Sequence, residues 1–79
     1  MNTLELRAER VRKGLSTDDM ARELGLNHGD SYSKKERGIS RFKPDEIVRT
    51  AEVLGLSPKK INVIFFDGKL PLGSFKESD

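Results

Sequence analysis

The chain has 79 residues, with 15 Lys/Arg, 13 Asp/Glu and a formal net charge of +2, enough for one domain with one small core. Hydrophobic residues make up 34% and charged residues 35%, a polar balance, yet the apolar residues recur at ordered spacings, which argues against disorder. The absence of Cys excludes disulfides, thiolate metal sites and a Cys nucleophile, and the single His, His28, excludes a His-rich metal cluster; with no apolar run of membrane-spanning length and no signal peptide ahead of the first helix, the expected location is cytoplasmic.

The first helix is predicted from about Thr3 to Lys13. Leu4, Ala8, Val11 and Leu15 fall at spacings of four, three and four, which is one helical face. Thr3 reads as its N-cap, Glu5 lies in the first turn where the helix dipole favours a carboxylate, and Arg12 and Lys13 precede the stop at Gly14. The second helix opens on a capping box: Ser16 accepts from the backbone three residues on, and Asp19 reaches back to the Ser16 N–H. Met20, Ala21 and Leu24 form its buried face, Gly25 supplies the left-handed residue that stops it, and Leu26 returns to the core. The turn Leu26-Asn27-His28-Gly29-Asp30 leads into a third helix that ends at about Arg37 and is capped by Asn27 or Asp30. Tyr32 is its one clear apolar anchor. Ser31, Ser33, Lys34 and Lys35 make the rest hydrophilic, and Gly38 ends it.

In the loop that follows, Ile39 and Phe42 are expected to turn inward. The fourth helix begins at Pro44, whose missing N–H costs nothing at the first helical position, and buries Ile47, Val48, Ala51 and Leu54 before Gly55. Leu54-Gly55-Leu56 repeats the ending Leu24-Gly25-Leu26, which is shared cap chemistry rather than an internal repeat. The fifth helix has Ser57 as cap, Pro58 at its first position and Ile61, Ile64 and Phe65 as its apolar face. Residues 67–79 contain Pro71 and Gly73, lack periodicity and read as an extended tail. Leu70, Leu72 and Phe75 are too many apolar side chains for a solvated tail, so they are expected to pack on the domain or on a second subunit.

A polar helix held on so small a scaffold is expected to present its side chains to a partner. Residues 1–43 carry ten Lys/Arg against seven Asp/Glu, and residues 33–43 carry Lys34, Lys35, Arg37, Arg41 and Lys43 against Glu36 alone. Such a cluster suits a polyanion such as DNA, although taken alone it is more simply a solvated surface.

The combined register of Arg10, Gly14-Leu15-Ser16, Met20-Ala21, Leu24-Gly25-Leu26, Glu36-Arg37-Gly38 and Ala51 through Leu56 resembles the Xre family of lambda-repressor-like (Cro/C1-type) helix-turn-helix proteins, over about residues 4–66. The resemblance implies an all-α, compact five-helix DNA-binding domain over residues 1–66, with the helix-turn-helix in helices 2 and 3. It implies a buried ion pair between Arg10 and Glu36. It makes the third helix the recognition helix in the major groove of double-stranded DNA, with Asn27, His28, Asp30, Ser31, Ser33 and Lys34 as readers. Asn suits adenine, Lys guanine, and Asp accepts from cytosine. Thr17, at the start of the second helix, is placed to hold a phosphate, and Arg37, Arg41 and Lys43 to neutralise phosphates without reading sequence.

Three departures from the family pattern stand out. Thr17 replaces the usual Gln. The turn before the third helix is one residue longer, with Gly29 inside it. Lys35 takes a usually apolar position, so it either lays its stem over Tyr32 or contacts a phosphate. Residue by residue, His28 is expected first as a turn residue, Asp30 as an N-cap, Tyr32 as a core anchor and Lys34 as the best DNA contact.

The expected function is a sequence-specific DNA-binding transcriptional regulator, a small phage, prophage or mobile-element repressor that occupies its operator as a homodimer. No catalysis, cofactor, metal or small-molecule ligand is expected. Phe65, Phe66, Leu70 and Leu72 form the expected dimer surface, with the tail from residue 67 contributing. The competing reading is a helix-turn-helix protein-interaction module such as an antitoxin or anti-repressor, which the modest net charge keeps open.

Overall fold

The computed structural model describes residues 1–69, and the expectations for Leu70, Leu72 and Phe75 lie outside them. Five helices follow one another: α1 Thr3–Arg12, α2 Thr17–Leu24, α3 Gly29–Glu36, α4 Pro44–Leu54 and α5 Pro58–Phe66. No strand occurs among the described residues, so the described fold is all-α, with five helices. None of these helices is long and apolar enough to cross a membrane.

The core is a cluster of Leu6, Met20, Ala21, Tyr32, Leu54 and Ile64, which takes one or two side chains from each helix. Around it pack Leu15, Leu24, Leu26, Phe42, Val53, Leu56 and Phe65. Edge-to-face ring contacts run from Tyr32 to Phe42 (centroids 6.2 Å apart) and from Phe42 to Phe65 (5.2 Å). They tie α3, the following loop and α5 together with an aromatic geometry that adds to simple burial. Phe65 is thus partly buried and packs against the core, while Phe66 is 36% exposed.

The buried face of α1 differs from the expected stripe. Leu4 is 80% and Val11 56% exposed, whereas Leu6 is fully buried and Glu9 nearly so. Leu15 does pack on the core, but it lies beyond Gly14, whose φ of +73° turns the chain. Its position is set by that turn and cannot extend a helical stripe. The inward line of α1 runs instead from Leu6 to Arg10, and its last member is a cation made tolerable by a partner. The N-cap also moves by one residue: the Asn2 side chain, not Thr3, accepts from the Glu5 N–H at 3.0 Å. The Asn2 N–H in turn donates to the Ile64 carbonyl at 2.7 Å, fastening α1 to α5.

Two other inward expectations fail, one in the loop after α3 and one on α4, where helix register outweighs side-chain type. Ile39 is 65% exposed while its neighbour Phe42 carries the packing. On α4, Val48 is 58% exposed and Thr50 is fully buried beside Ala51 and Leu54. The Thr50 hydroxyl oxygen has no hydrogen-bond partner. A buried polar group without a partner costs about 1–3 kcal/mol, and Val has nearly the same shape. Thr50→Val is therefore expected to raise the thermal midpoint, by about 1 kcal/mol of added stability. A lower midpoint in a melting experiment would mean that the hydroxyl is hydrogen-bonded in solution.

Candidate nucleic-acid interface

The local chemistry of α2 fixes where α3 begins. The Asp19 N–H donates to Ser16 Oγ at 3.0 Å and the Ser16 N–H to Asp19 Oδ2 at 2.8 Å, closing the capping box. These bonds, led by the Ser16 backbone N–H, hold the Asp19 carboxyl below its usual value. At the other end Gly25 adopts φ +72°, a left-handed conformation that a side chain would resist. The Leu26 N–H then donates to the Ala21 carbonyl at 2.8 Å and turns the chain into α3.

The third helix starts earlier than the sequence pattern suggests. Gly29 is its first residue, not part of the turn, and His28 occupies the cap position without a side-chain hydrogen bond. Neither Asn27 nor Asp30 caps the helix. A Cβ at Gly29 would overlap the Asp18 carboxylate and come within 3.0 Å of the Thr17 hydroxyl. The first turn of α3 thus rests directly on the first turn of α2. The glycine that looked like an added turn residue sits at a close contact between the two helices.

The inward side of α3 is clamped by polar groups at two places. Tyr32 is fully buried and Glu36 is 5% exposed. Arg10 Nε and Nη2 donate to the two Glu36 oxygens at 2.7 and 3.1 Å, and Arg10 Nη1 donates to the Leu15 carbonyl at 2.7 Å. The Tyr32 hydroxyl donates to Glu36 Oε2 at 2.9 Å. Burial, reinforced by the Glu36 charge and hydrogen bond, pushes the Tyr32 phenol well above its ordinary value, so it stays a neutral donor. The two guanidinium bonds also fix an orientation that a single-point cation would leave free.

The second clamp had no clear sequence signal. Lys35 Nζ lies 2.9 Å from Glu46 Oε1 on α4 and donates to the Arg41 carbonyl at 2.9 Å. Both side chains are nearly buried, at 12% and 9% exposure. The same Glu46 oxygen accepts from the Lys43 N–H at 2.8 Å, closing the start of α4. Lys35 is therefore an internal strut rather than a member of the outward basic cluster, its ammonium held by Glu46 and the Arg41 carbonyl. The i to i+11 spacing of Lys35 and Glu46 crosses a loop, so helical periodicity gives no hint of it.

With Gly29, Tyr32, Lys35 and Glu36 turned inward, the opposite side of α3 is left to solvent. Asn27, His28, Asp30, Lys34 and Arg37 are exposed, and Ser31 and Ser33 are half-buried. Lys34 Nζ lies 3.5 Å from Asp30 Oδ2. Arg37 Nε donates to Ser33 Oγ at 3.2 Å. Arg41 and Lys43 are exposed in the loop leaving α3, and Thr17 is half-buried in the first turn of α2. The geometry is a short helix fixed on its inner side to α1, α2 and α4, with donors and acceptors along its outer side.

The family model described as a helix-turn-helix domain matches residues 4–62. This chain belongs to the helix-turn-helix domain family. The matched span runs from α1 into α5, and so includes the α2–α3 pair together with the helices that clamp it. No curated protein and no solved structure matches the chain. The family is one of DNA-binding domains, and in a helix-turn-helix the second helix of the pair enters the major groove while the first crosses the backbone. In this chain the pair is α2 followed by α3.

Proposed function

We propose that this protein is a sequence-specific transcriptional regulator of the Xre, Cro/C1-like type, a small phage, prophage or mobile-element repressor working at cytoplasmic DNA. The observation that carries the reading is the division of α3 into two sides. Its inner side is held by the Arg10–Glu36–Tyr32 and Lys35–Glu46 contacts, while its outer side has donors and acceptors with little structural use. A rigidly held polar helix suits base edges in the major groove, where each base pair displays a distinct donor and acceptor pattern.

Asn27, His28, Asp30, Ser31, Ser33 and Lys34 are the proposed readers. Arg37, Arg41, Lys43 and the Thr17 hydroxyl are the proposed phosphate contacts, which set register without reading sequence. The protein is proposed to bind as a homodimer on inverted half-sites about one helical turn apart. Its contact is assigned to the α4–α5 side, where Ile47, Val48, Leu56, Ile61 and Phe66 help line an apolar cleft of about 630 Å³. None of the cleft's lining residues comes from α2 or α3, so a second copy seated there leaves the outer side of α3 open to DNA.

Selection of bound duplexes from a random pool tests the reading, because paired half-sites would report both sequence preference and the dimer. On a duplex so selected, Lys34→Ala is expected to weaken binding about tenfold, within the range of a base contact, with the melting temperature nearly unchanged. Unchanged affinity removes Lys34 from the interface. A pool that yields no enriched sequence removes the regulator reading.

A further inference from the structure

Resting on the proposed DNA-reading role of α3, we infer that Asp30 and Lys34 act as one unit that reads a single C·G base pair. Asp30 is a costly residue on a DNA-facing helix, because a carboxylate is repelled by phosphates. It makes no cap hydrogen bond, the cap position being His28, and its place in the first turn gains only the modest dipole term open to any exposed carboxylate there. Its one ion-pair partner among the described residues is Lys34, one turn on, at 3.5 Å, with both side chains about half exposed. The outer side of α3 therefore displays an acceptor beside a donor, one helical turn apart.

In the major groove a C·G pair displays the complementary edge. Cytosine N4 donates, and guanine O6 beside it accepts; the two atoms are base-paired about 2.9 Å apart. Asp30 accepts from N4 while Lys34 donates to O6 and to N7, the second guanine acceptor. An A·T pair also offers a donor, adenine N6, but acceptors flank it on both sides: N7 and thymine O4. Those acceptors repel a carboxylate, and thymine supplies only one acceptor where guanine supplies two. The ion pair thus discriminates by attraction at C·G and by repulsion at A·T. Mutual pairing in the free protein also keeps the carboxylate from being an uncompensated charge when no cytosine is present.

The test uses the full chain and the duplex it selects, with the base pair at each position replaced in turn by the other three. The wild-type protein is expected to require C·G at one position per half-site by about tenfold or more. Asp30→Asn keeps the side-chain size, and Asn suits adenine, so that position should change its preference to A·T. Lys34→Gln should relax the guanine requirement at the same position and leave the others alone. A purely structural role for Asp30 in the first turn of α3 would lower the melting temperature slightly without moving any base preference. If the wild type selects a site but both variants keep its base preferences, the pair assignment is overturned while DNA reading stands. If the wild type selects no sequence, both fall.

Discussion

Glu36→Ala is expected to lower the stability of the domain by about 3–5 kcal/mol, the typical cost of breaking a buried ion pair from one side. The cost lies mainly in what is left behind. Arg10, whose side chain is 12% exposed, would keep the Leu15 carbonyl but lose both carboxylate oxygens. Tyr32, fully buried, would lose the acceptor of its hydroxyl. A domain of this size holds only about 4–12 kcal/mol in total. The thermal midpoint should therefore fall by on the order of 20 °C, and DNA binding should fail through loss of the folded α3. Tyr32→Phe, which removes the hydroxyl alone, should cost about 1 kcal/mol. Thermal melts followed by circular dichroism check both values. A Glu36→Ala midpoint within a few degrees of wild type would show that the pair does not hold α3 in solution.

Glu46→Ala should be the second most damaging change, costing about 2–3 kcal/mol. It removes the Lys35 partner and the cap on the Lys43 N–H together. The cost is smaller than at Glu36 because Lys35 retains the Arg41 carbonyl and its flexible stem can carry the ammonium to water. Pairing the change with Lys35→Met should recover part of the loss, since no cation is then stranded. The pH dependence has a definite sign. Burial pushes the Glu46 carboxyl up, but the Lys43 N–H, the Lys35 hydrogen bond and the Lys35 and Lys43 charges outweigh it and hold the group below its ordinary value. A depressed carboxyl contributes its stability above the unfolded value of about 4.3 and loses it as pH falls through the folded value. The difference in midpoint between wild type and Glu46→Ala should therefore be full at pH 7 and shrink below about pH 4. A difference that persists unchanged into acid would assign the stabilisation to packing rather than charge.

Helix ends were the most legible part of the sequence, because capping is local chemistry. Ser16 with Asp19, Gly25, Ser57 with Pro58, and Gly55 each mark a boundary that the structure places where the residues indicate. Which face points inward was less legible. Leu4, Val11, Ile39 and Val48 are apolar and exposed, while Thr50, Glu36 and Glu46 are polar and buried. In so small a core the helix crossings leave few inward positions, and polar groups satisfied by specific partners occupy several of them. Lys35 shows the limit most clearly: its partner, Glu46, lies across a loop on another helix. Gly29 shows another. A glycine between two helices reads as a turn, yet here it permits the contact that sets the position of the outward side of α3.

The most direct test of DNA reading by α3 is the affinity for a selected duplex measured across salt concentrations from 50 to 200 mM, roughly the range over which phosphate contacts are lost. If Arg37, Arg41 and Lys43 of two protomers neutralise six phosphates, log affinity should fall against log salt with a slope of roughly −5. Lys34→Ala should shift that line to weaker binding without changing its slope much, because a base contact releases few counterions. A flat salt response, or equal affinity for selected and scrambled duplexes, would contradict a DNA-reading role for this helix.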